Sequence, residues 1–234
     1  MRVDALLPAF AAVFDFERFN AMQAAVIPAL LETPGNVVVA APTASGKTAV
    51  AEAAICQQLD RGETALFIAP LRALTNEKEA EWDRFEALGY AVYVVTGERD
   101  VDPARAAAAD VLVMTPEKVD SATRKPQSPR YRFMRSVGCV VIDEADFYDP
   151  FVQANLQVLL RVLRHFDVPI LVMSATVPDA ATDFYGIDGM AEDTSDLDRT
   201  RCTIEDAGNA EIPSEKEEAP FEAEEVLQQI VEAE

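Results

Sequence analysis

Residues 41–48 read APTASGKT, and their types suit one task. With no Cβ, Gly46 lets the backbone come close to a bulky anion, and the Lys47 ammonium reaches the anion's outer charges. Thr48 adds a hydroxyl oxygen, a hard ligand suited to Mg2+. Thr43, Ala44 and Ser45 complete a tight turn, and an alanine-rich helical pattern follows at once. Successive N–H groups in such a turn, backed by the positive end of a helix, form a phosphate cradle. The chemistry that results is binding of a nucleoside triphosphate, with Lys47 on the β and γ phosphates. The spacing G-x-x-x-x-G-K-[ST] normally opens on glycine where this chain has Ala41, and SGKT before a helix also arises by chance.

A second polar pair answers the first. CVVIDEAD, residues 139–146, ends an apolar run on Asp143 and Glu144. At the carboxyl edge of a parallel sheet, where a triphosphate must lie, one acid can hold a metal and the next can orient an attacking water. Acids at a strand end also serve as helix caps, so the pair gains its meaning beside Lys47. Lys47, Asp143 and Glu144 form the candidate catalytic set, and Thr48 and Asp143 the candidate metal ligands.

Holding these groups together requires a scaffold, and its elements recur regularly. NVVVAAP (36–42), TALFIAP (64–70), AVYVV (91–95), DVLVMT (110–115), CVVID (139–143) and PILVMSAT (169–176) are short, apolar and rich in β-branched residues. Such runs predict buried strands. Between them, TAVAEAAICQQL, LTNEKEAEWDRFEAL and FVQANLQVLLRVLRHF repeat apolar residues every three or four positions, which predicts helices packed on a sheet. The alternation predicts an α/β fold of three layers around a mainly parallel central sheet. RKPQSPRYR (124–132) reads as an exposed loop. From residue 191 the composition shifts: fifteen acidic residues against three basic ones supply twelve of the 21 net negative charges. GNAEIPSEKEEAP looks like a linker and FEAEEVLQQIVEAE like an amphipathic helix. Residues 1–190 are expected to form one nucleotide-binding domain, and residues 191–234 an acidic linker and helix.

A chain of 234 residues, half of them hydrophobic, can bury the core of one large domain. Its net charge of −21 points away from a grip on nucleic acid by bulk electrostatics, for which a basic protein would be expected. Only five of the 20 basic residues are lysine. An acidic, lysine-poor surface suits the salt-rich cytoplasm of a halophilic archaeon, since at molar salt the Debye length falls to about 3 Å and carboxylate repulsion is muted. An ordinary acidic protein with an acidic tail is the plainer alternative. The chain has no run of about 18 apolar residues, and Pro8, Asp15 and Glu17 interrupt its opening segment, unlike a signal peptide. A soluble cytoplasmic protein with no membrane partner is expected. Cys56, Cys139 and Cys202 are widely spaced and form no CxxC pair, which argues against a disulfide framework or a zinc site. His165, late in a helical pattern, is assigned no chemistry.

Taken in order, the motifs resemble the first motor domain of superfamily two DExD/H helicases over residues 16–186. That resemblance implies a RecA-like P-loop NTPase domain, ATP and Mg2+ as ligands, and hydrolysis of ATP. FERFNAMQ (16–23) looks like the adenine-recognition segment, with Gln23 toward the base; a capping Asn20 before an ordinary glutamine is the alternative. APLRAL (69–74), TGE (96–98) and TPEK (115–118) are similar to the segments that grip a nucleic-acid backbone, which makes Arg72, Thr96, Gly97, Thr115 and Pro116 candidate contacts. Arg72 also reads as a solvated helix residue, and TPEK as a plain capped helix start. SAT (174–176) resembles the motif in which Ser174 and Thr176 bond Asp146 and couple hydrolysis to strand grip. Within the superfamily, PLRALTNEK is similar to archaeal DNA-repair helicases, while Tyr148 and Asp149 after the acidic motif, and the SAT ending, look more like the CRISPR-associated helicase of type I interference. The implied partners are single-stranded DNA, with RNA the alternative, a second RecA-like domain in a longer chain or separate subunit, and a CRISPR effector complex with its nuclease. A complete motor would hydrolyse ATP, and this chain alone would do so weakly or not at all. A non-catalytic nucleotide-gated interaction module is the rival from another class.

Overall fold

Runs that are apolar at every position can be buried on both faces, and here they form the middle of a sheet. The computed structural model describes residues 1–32, 35–42, 44–70, 76–96, 101–123, 129–145, 150–175 and 189–192. Strands β1 (Val37–Ala40), β2 (Thr64–Ile68), β3 (Val92–Val95), β4 (Val111–Met114), β5 (Val137–Ile142), β6 (Ile170–Ser174) and β7 (Gly189–Glu192) form one sheet in the order β3-β4-β2-β5-β6-β1-β7. Each neighbouring pair is parallel, so the sheet expected to be mainly parallel is wholly so among the described residues.

Among the described residues seven α-helices accompany it: α1 (Val3–Leu6), α2 (Ala21–Glu32), α3 (Lys47–Asp60), α4 (Asn76–Ala87), α5 (Pro103–Ala107), α6 (Pro116–Thr123) and α7 (Pro150–His165). Side chains alternate along a strand, and the sheet uses that alternation to build two cores. Val39, Phe67, Val113 and Val141 face the helices α2, α3 and α4 together with the amino-terminal segment. Their neighbours Val38, Leu66, Met114 and Val140 face α6 and α7. The three expected layers are thus present, and no described helix is long and apolar enough to cross a membrane.

Two segments differ from the sequence reading. Residues 129–132, expected in an exposed loop, open a 3-10 helix, Pro129–Ser136, whose Phe133 is buried in the second core. Strand β7 was not foreseen, and it carries the sheet through the boundary expected at residue 190. Cys56 and Cys139 are buried free thiols. Burial, reinforced by the carboxylate of Glu63, pushes the Cys139 thiol up to about 12. His165 is exposed at the end of α7, with its ring edge against Phe166. That helix stops in a left-handed turn: Asp167 has φ 53°, its N–H donates to the Arg164 carbonyl at 3.1 Å, and the Val168 N–H donates to the Leu163 carbonyl at 2.9 Å. These are the two bonds of a Schellman closure.

Strand register fixes what meets at the carboxyl edge. Ala40 at the end of β1 is paired with Ser174 at the end of β6, and Ile142 with Val172. Asp143 extends β5 by one bond, its N–H donating to the Ile68 carbonyl at 2.8 Å. Across β4, Met114 pairs with Val95, which sets Thr115 and Thr96 side by side just past the strand ends.

Candidate nucleotide and nucleic-acid site

The loop after β1 is shaped by two left-handed residues, Ala44 at φ 64° and Gly46 at φ 88°. Between them the Ser45 N–H donates to the Pro42 carbonyl at 3.2 Å, closing the turn. Gly46 is the residue before α3, and the Ala49 N–H returns to its carbonyl at 3.2 Å. Two left-handed residues one apart turn successive N–H groups toward a common point, while the first turn of α3 carries no acidic side chain to oppose an anion. Lys47 opens α3, and its ammonium donates to the carbonyls of Ala41 and of Pro42, so it sits over the loop that a triphosphate would enter. Ser45 Oγ is buried with no hydrogen-bond partner, an orphan that a phosphate oxygen would satisfy. The cradle therefore fits ATP on grounds independent of the motif.

Asn20 and Gln23 prove to be part of this loop. Asn20 Oδ1 accepts from the Gln23 N–H and Gln23 Oε1 accepts from the Asn20 N–H, both at 2.9 Å, a reciprocal cap at the start of α2. The same two side chains reach over 20 residues onward: Asn20 Nδ2 donates to the Ser45 carbonyl at 2.9 Å and Gln23 Nε2 to the Gly46 carbonyl at 3.0 Å. The capping alternative thus holds for Asn20 and coexists with a second role. A primary amide has two N–H donors and two acceptor lone pairs. Gln23, buried at 4 % exposure, spends one of each on the protein, which leaves one donor and one acceptor for a base edge. Sequence reasoning treated Asn20 only as a cap; its hold on the loop is a tertiary contact that no local pattern signals.

On the adjoining strands, Asp143 is buried at 6 % exposure and its Oδ1 accepts the Glu144 N–H at 3.0 Å. Glu144 itself has φ 51°, a left-handed conformation that costs a non-glycine residue about 1 to 2 kcal/mol. Strain of this kind collects at functional sites, where surrounding structure enforces it. Thr48 and Asp143, the expected metal ligands, carry hard oxygen donors of the kind Mg2+ takes, an ion that keeps several waters and takes further ligands from phosphates. No cluster of three metal-binding side chains occurs among the described residues, and Mg2+ in this setting needs none.

Ser174 is buried at the end of β6, and its carbonyl accepts the Ala41 N–H at 3.1 Å, joining this strand to the nucleotide loop. Thr115 is buried too; its carbonyl accepts from Lys118 and Val119, and Pro116 takes the first position of α6, so the helix starts at the carboxyl edge. Thr96 lies beside it, just past β3. Thr43, Arg72, Gly97, Asp146 and Thr176 fall outside the described residues, as do Tyr148, Asp149 and Cys202. Every predicted site residue that is described, Gln23 excepted, lies at the carboxyl edge or in the loop that leaves it, and Gln23 is bonded to that loop.

A wholly parallel sheet with a phosphate cradle after one strand and paired acids two strands away is the architecture of RecA-like nucleotide-binding domains. The DEAD/DEAH box helicase family matches residues 20–184, and the chain belongs to that family. It is 39 % identical over 140 residues to activating signal cointegrator 1 complex subunit 3 of Homo sapiens, covering 58 % of this chain and 6 % of that protein. It is 32 % identical over 178 residues to the DExH-box ATP-dependent RNA helicase DExH13 of Arabidopsis thaliana, covering 71 % of this chain and 8 % of the relative. The chain thus spans less than a tenth of these curated relatives. Among solved structures, a hypothetical ATP-dependent RNA helicase from Sulfolobus tokodaii superimposes with a TM-score of 0.64 at 25 % identity, over 84 % of this chain and 59 % of that one. The DUF1998 helicase MrfA bound to DNA gives 0.66 at 19 % identity, over 80 % of this chain and 29 % of that one, a likeness of fold.

Proposed function

We propose that this chain is the ATP-binding half of an ATP-dependent nucleic-acid helicase or translocase. The observation that carries the proposal is the carboxyl edge itself: a backbone bond from Ala41 to Ser174 joins the phosphate cradle to the end of β6, and the Asp143–Glu144 pair follows β5, the strand paired with β6. Lys47 leaves the Ala41 and Pro42 carbonyls for phosphate oxygens, while the N–H groups of residues 44–48 enclose the triphosphate. Mg2+, when bound, neutralises charge on the phosphates, and Thr48 and Asp143 are the residues that would hold it. Glu144 orients the attacking water. The start of α6 at Thr115 and Pro116, with Thr96, Gly97 and Arg72, takes the nucleic-acid backbone through helix-end N–H groups and a few local cations, which suits an otherwise acidic protein. Ser174 and Thr176 with Asp146 transmit hydrolysis to that grip.

The complete motor requires a second RecA-like domain, and the acidic sequence that follows β7 would be the tether leading toward it. Arginines from such a domain act on the transferring phosphoryl group, and in GTPases a comparable arginine raises the rate roughly 10³- to 10⁵-fold. By itself the chain binds nucleotide and turns it over slowly. For the finer assignment, Tyr148 and Asp149 support a CRISPR-associated DNA helicase acting with an effector complex and nuclease. PLRALTNEK supports a repair helicase, and the identity over 178 residues to a relative named as an RNA helicase supports an RNA helicase instead. The second reading rests on far more residues, and we favour it. The acidic, lysine-poor composition supports work in a salt-rich cytoplasm.

The test is ATP hydrolysis in high KCl, with and without single-stranded DNA or RNA, by the chain alone and by the chain joined to a second RecA-like domain, each with Glu144→Gln as control. Turnover that depends on Glu144 and is stimulated by nucleic acid only in the longer protein supports a helicase half. Binding without turnover in every case would establish a nucleotide-gated interaction module in its place.

A further inference from the structure

Helix α3 buries one carboxylate in its alanine-rich wall. Glu52 lies one turn beyond Thr48 and is 6 % exposed. A buried carboxylate needs a compensating cation, and Arg84 of α4 comes within 4.0 Å of Glu52 Oε1 through its Nη1. The same Nη1 donates to the Val13 carbonyl at 2.8 Å, and Nη2 is 4.0 Å from Asp15 Oδ2. One planar fork therefore ties three elements together: the helix that opens on Lys47, the helix that follows the Arg72 segment, and the chain entering the base-recognition stretch. Only arginine presents donors in this spread.

From Val13 the chain runs through Phe14, Phe16 and Phe19, whose rings pack on one another with centroids 5.6 to 5.8 Å apart. It then reaches Asn20 and Gln23, bonded to the Ser45 and Gly46 carbonyls. Arg84 thus anchors one end of a segment whose other end sits on the nucleotide loop.

We propose that Arg84 is a positioning residue of the nucleotide site, holding residues 13–23 against α3 so that Gln23 meets the base. Arg84 touches neither base nor phosphate and acts through the segment it holds. The inference rests on the reading of Gln23 as the base contact, and it deepens that reading by naming what sets the contact. It separates two parts of nucleotide affinity: Arg84 governs the share that comes from the base and leaves the share from the phosphate cradle alone.

Calorimetric titration with ADP and with inorganic tripolyphosphate tests this. Gln23→Ala should weaken ADP about tenfold, the equivalent of one hydrogen bond, and leave tripolyphosphate unchanged. Arg84→Leu should do the same, Arg84→Lys should recover part of the loss, and Arg84→Leu combined with Gln23→Ala should be no weaker than Gln23→Ala alone. If Gln23→Ala weakens ADP and Arg84→Leu does not, the positioning role is refuted and the base contact stands. If Gln23→Ala has no effect, the base contact fails and the positioning role with it. Equal losses for ADP and tripolyphosphate in Arg84→Leu would mark a general structural part and overturn the proposal. Should Arg84→Leu not fold, Glu52→Gln and Arg84→Lys carry the test: selective weakening of ADP supports the role, and unchanged ADP affinity in both refutes it.

Discussion

Replacing Gly46 with alanine probes the loop where two demands coincide. The position has φ 88°, where an L side chain costs about 1 to 2 kcal/mol. The added Cβ would stand 2.4 Å from Gln23 Nε2 and 3.3 Å from Asn20 Nδ2, so the buried Gln23 amide has to leave its seat. In leaving it gives up its bonds to the Gly46 carbonyl and the Asn20 N–H, each worth about 1 kcal/mol net. Together these amount to about 3 to 4 kcal/mol, which for a domain of this size lowers the melting temperature by roughly 10 °C. Thermal unfolding followed by circular dichroism reads the stability, and ADP titration reads the site, where affinity should fall more than about tenfold because the N–H cradle is turned. Gln23→Ala empties the space the new methyl needs, so the double variant should lose clearly less than the sum of the two single losses. A Gly46→Ala protein that melts within about 1 °C of the wild type and binds ADP as tightly would refute both the left-handed loop and the seating of Gln23 beneath it.

Lys47→Ala should abolish measurable ADP binding while leaving the melting temperature within about 2 °C, because the half-buried ammonium supports a ligand more than it supports the fold; calorimetry and thermal unfolding on one sample check both halves. The Cys139 thiol, raised to about 12 from an ordinary 9.0, stays neutral in the folded protein where the unfolded chain ionises. Its contribution is therefore complete below about pH 9 and is lost as pH rises toward 12, so urea midpoints between about pH 8 and 10.5 should fall more steeply for the wild type than for Cys139→Ala. At the end of α7, Asp167 carries φ 53° and a negative charge beside helix carbonyls, so Asp167→Gly should raise stability by about 1 kcal/mol, seen as a melting temperature higher by about 2 to 4 °C; a lower one would show that the side chain has a role the backbone does not reveal.

Six of the strands were readable because short, mostly apolar runs rich in β-branched residues leave few options besides a doubly covered strand. Gly189–Glu192, GMAE, holds one large apolar residue in four positions, and it is a strand because the open side of β1 supplies a partner. Pro129–Ser136 likewise owes its 3-10 turn to Phe133, which is drawn into the second core. At the site, groups that act through local spacing were legible: Gly46, Lys47 and Thr48 follow one another, and Asp143 and Glu144 end a strand. The contacts between Asn20 or Gln23 and the loop, and the Arg84 fork, join residues 23 to 71 positions apart, and hydrophobic periodicity carries no information about them. Glu52 was the one visible trace, an acid on the alanine face of a helix.

The register of β7 has a consequence for how a motor of this kind is assembled. Glu192 lies level with Ala40, one residue before the nucleotide loop begins, so whatever is encoded after β7 sets out from the rim of the cleft. A domain tethered there is held at an effective concentration in the millimolar range for a short flexible linker, and even a feeble affinity for the nucleotide-loaded face then suffices for closure. Supplied as a free polypeptide, the same domain would have to make up that difference through its own contact surface. If an added second domain stimulates turnover, comparing the concentration it needs with the rate of the joined protein would measure what the tether contributes.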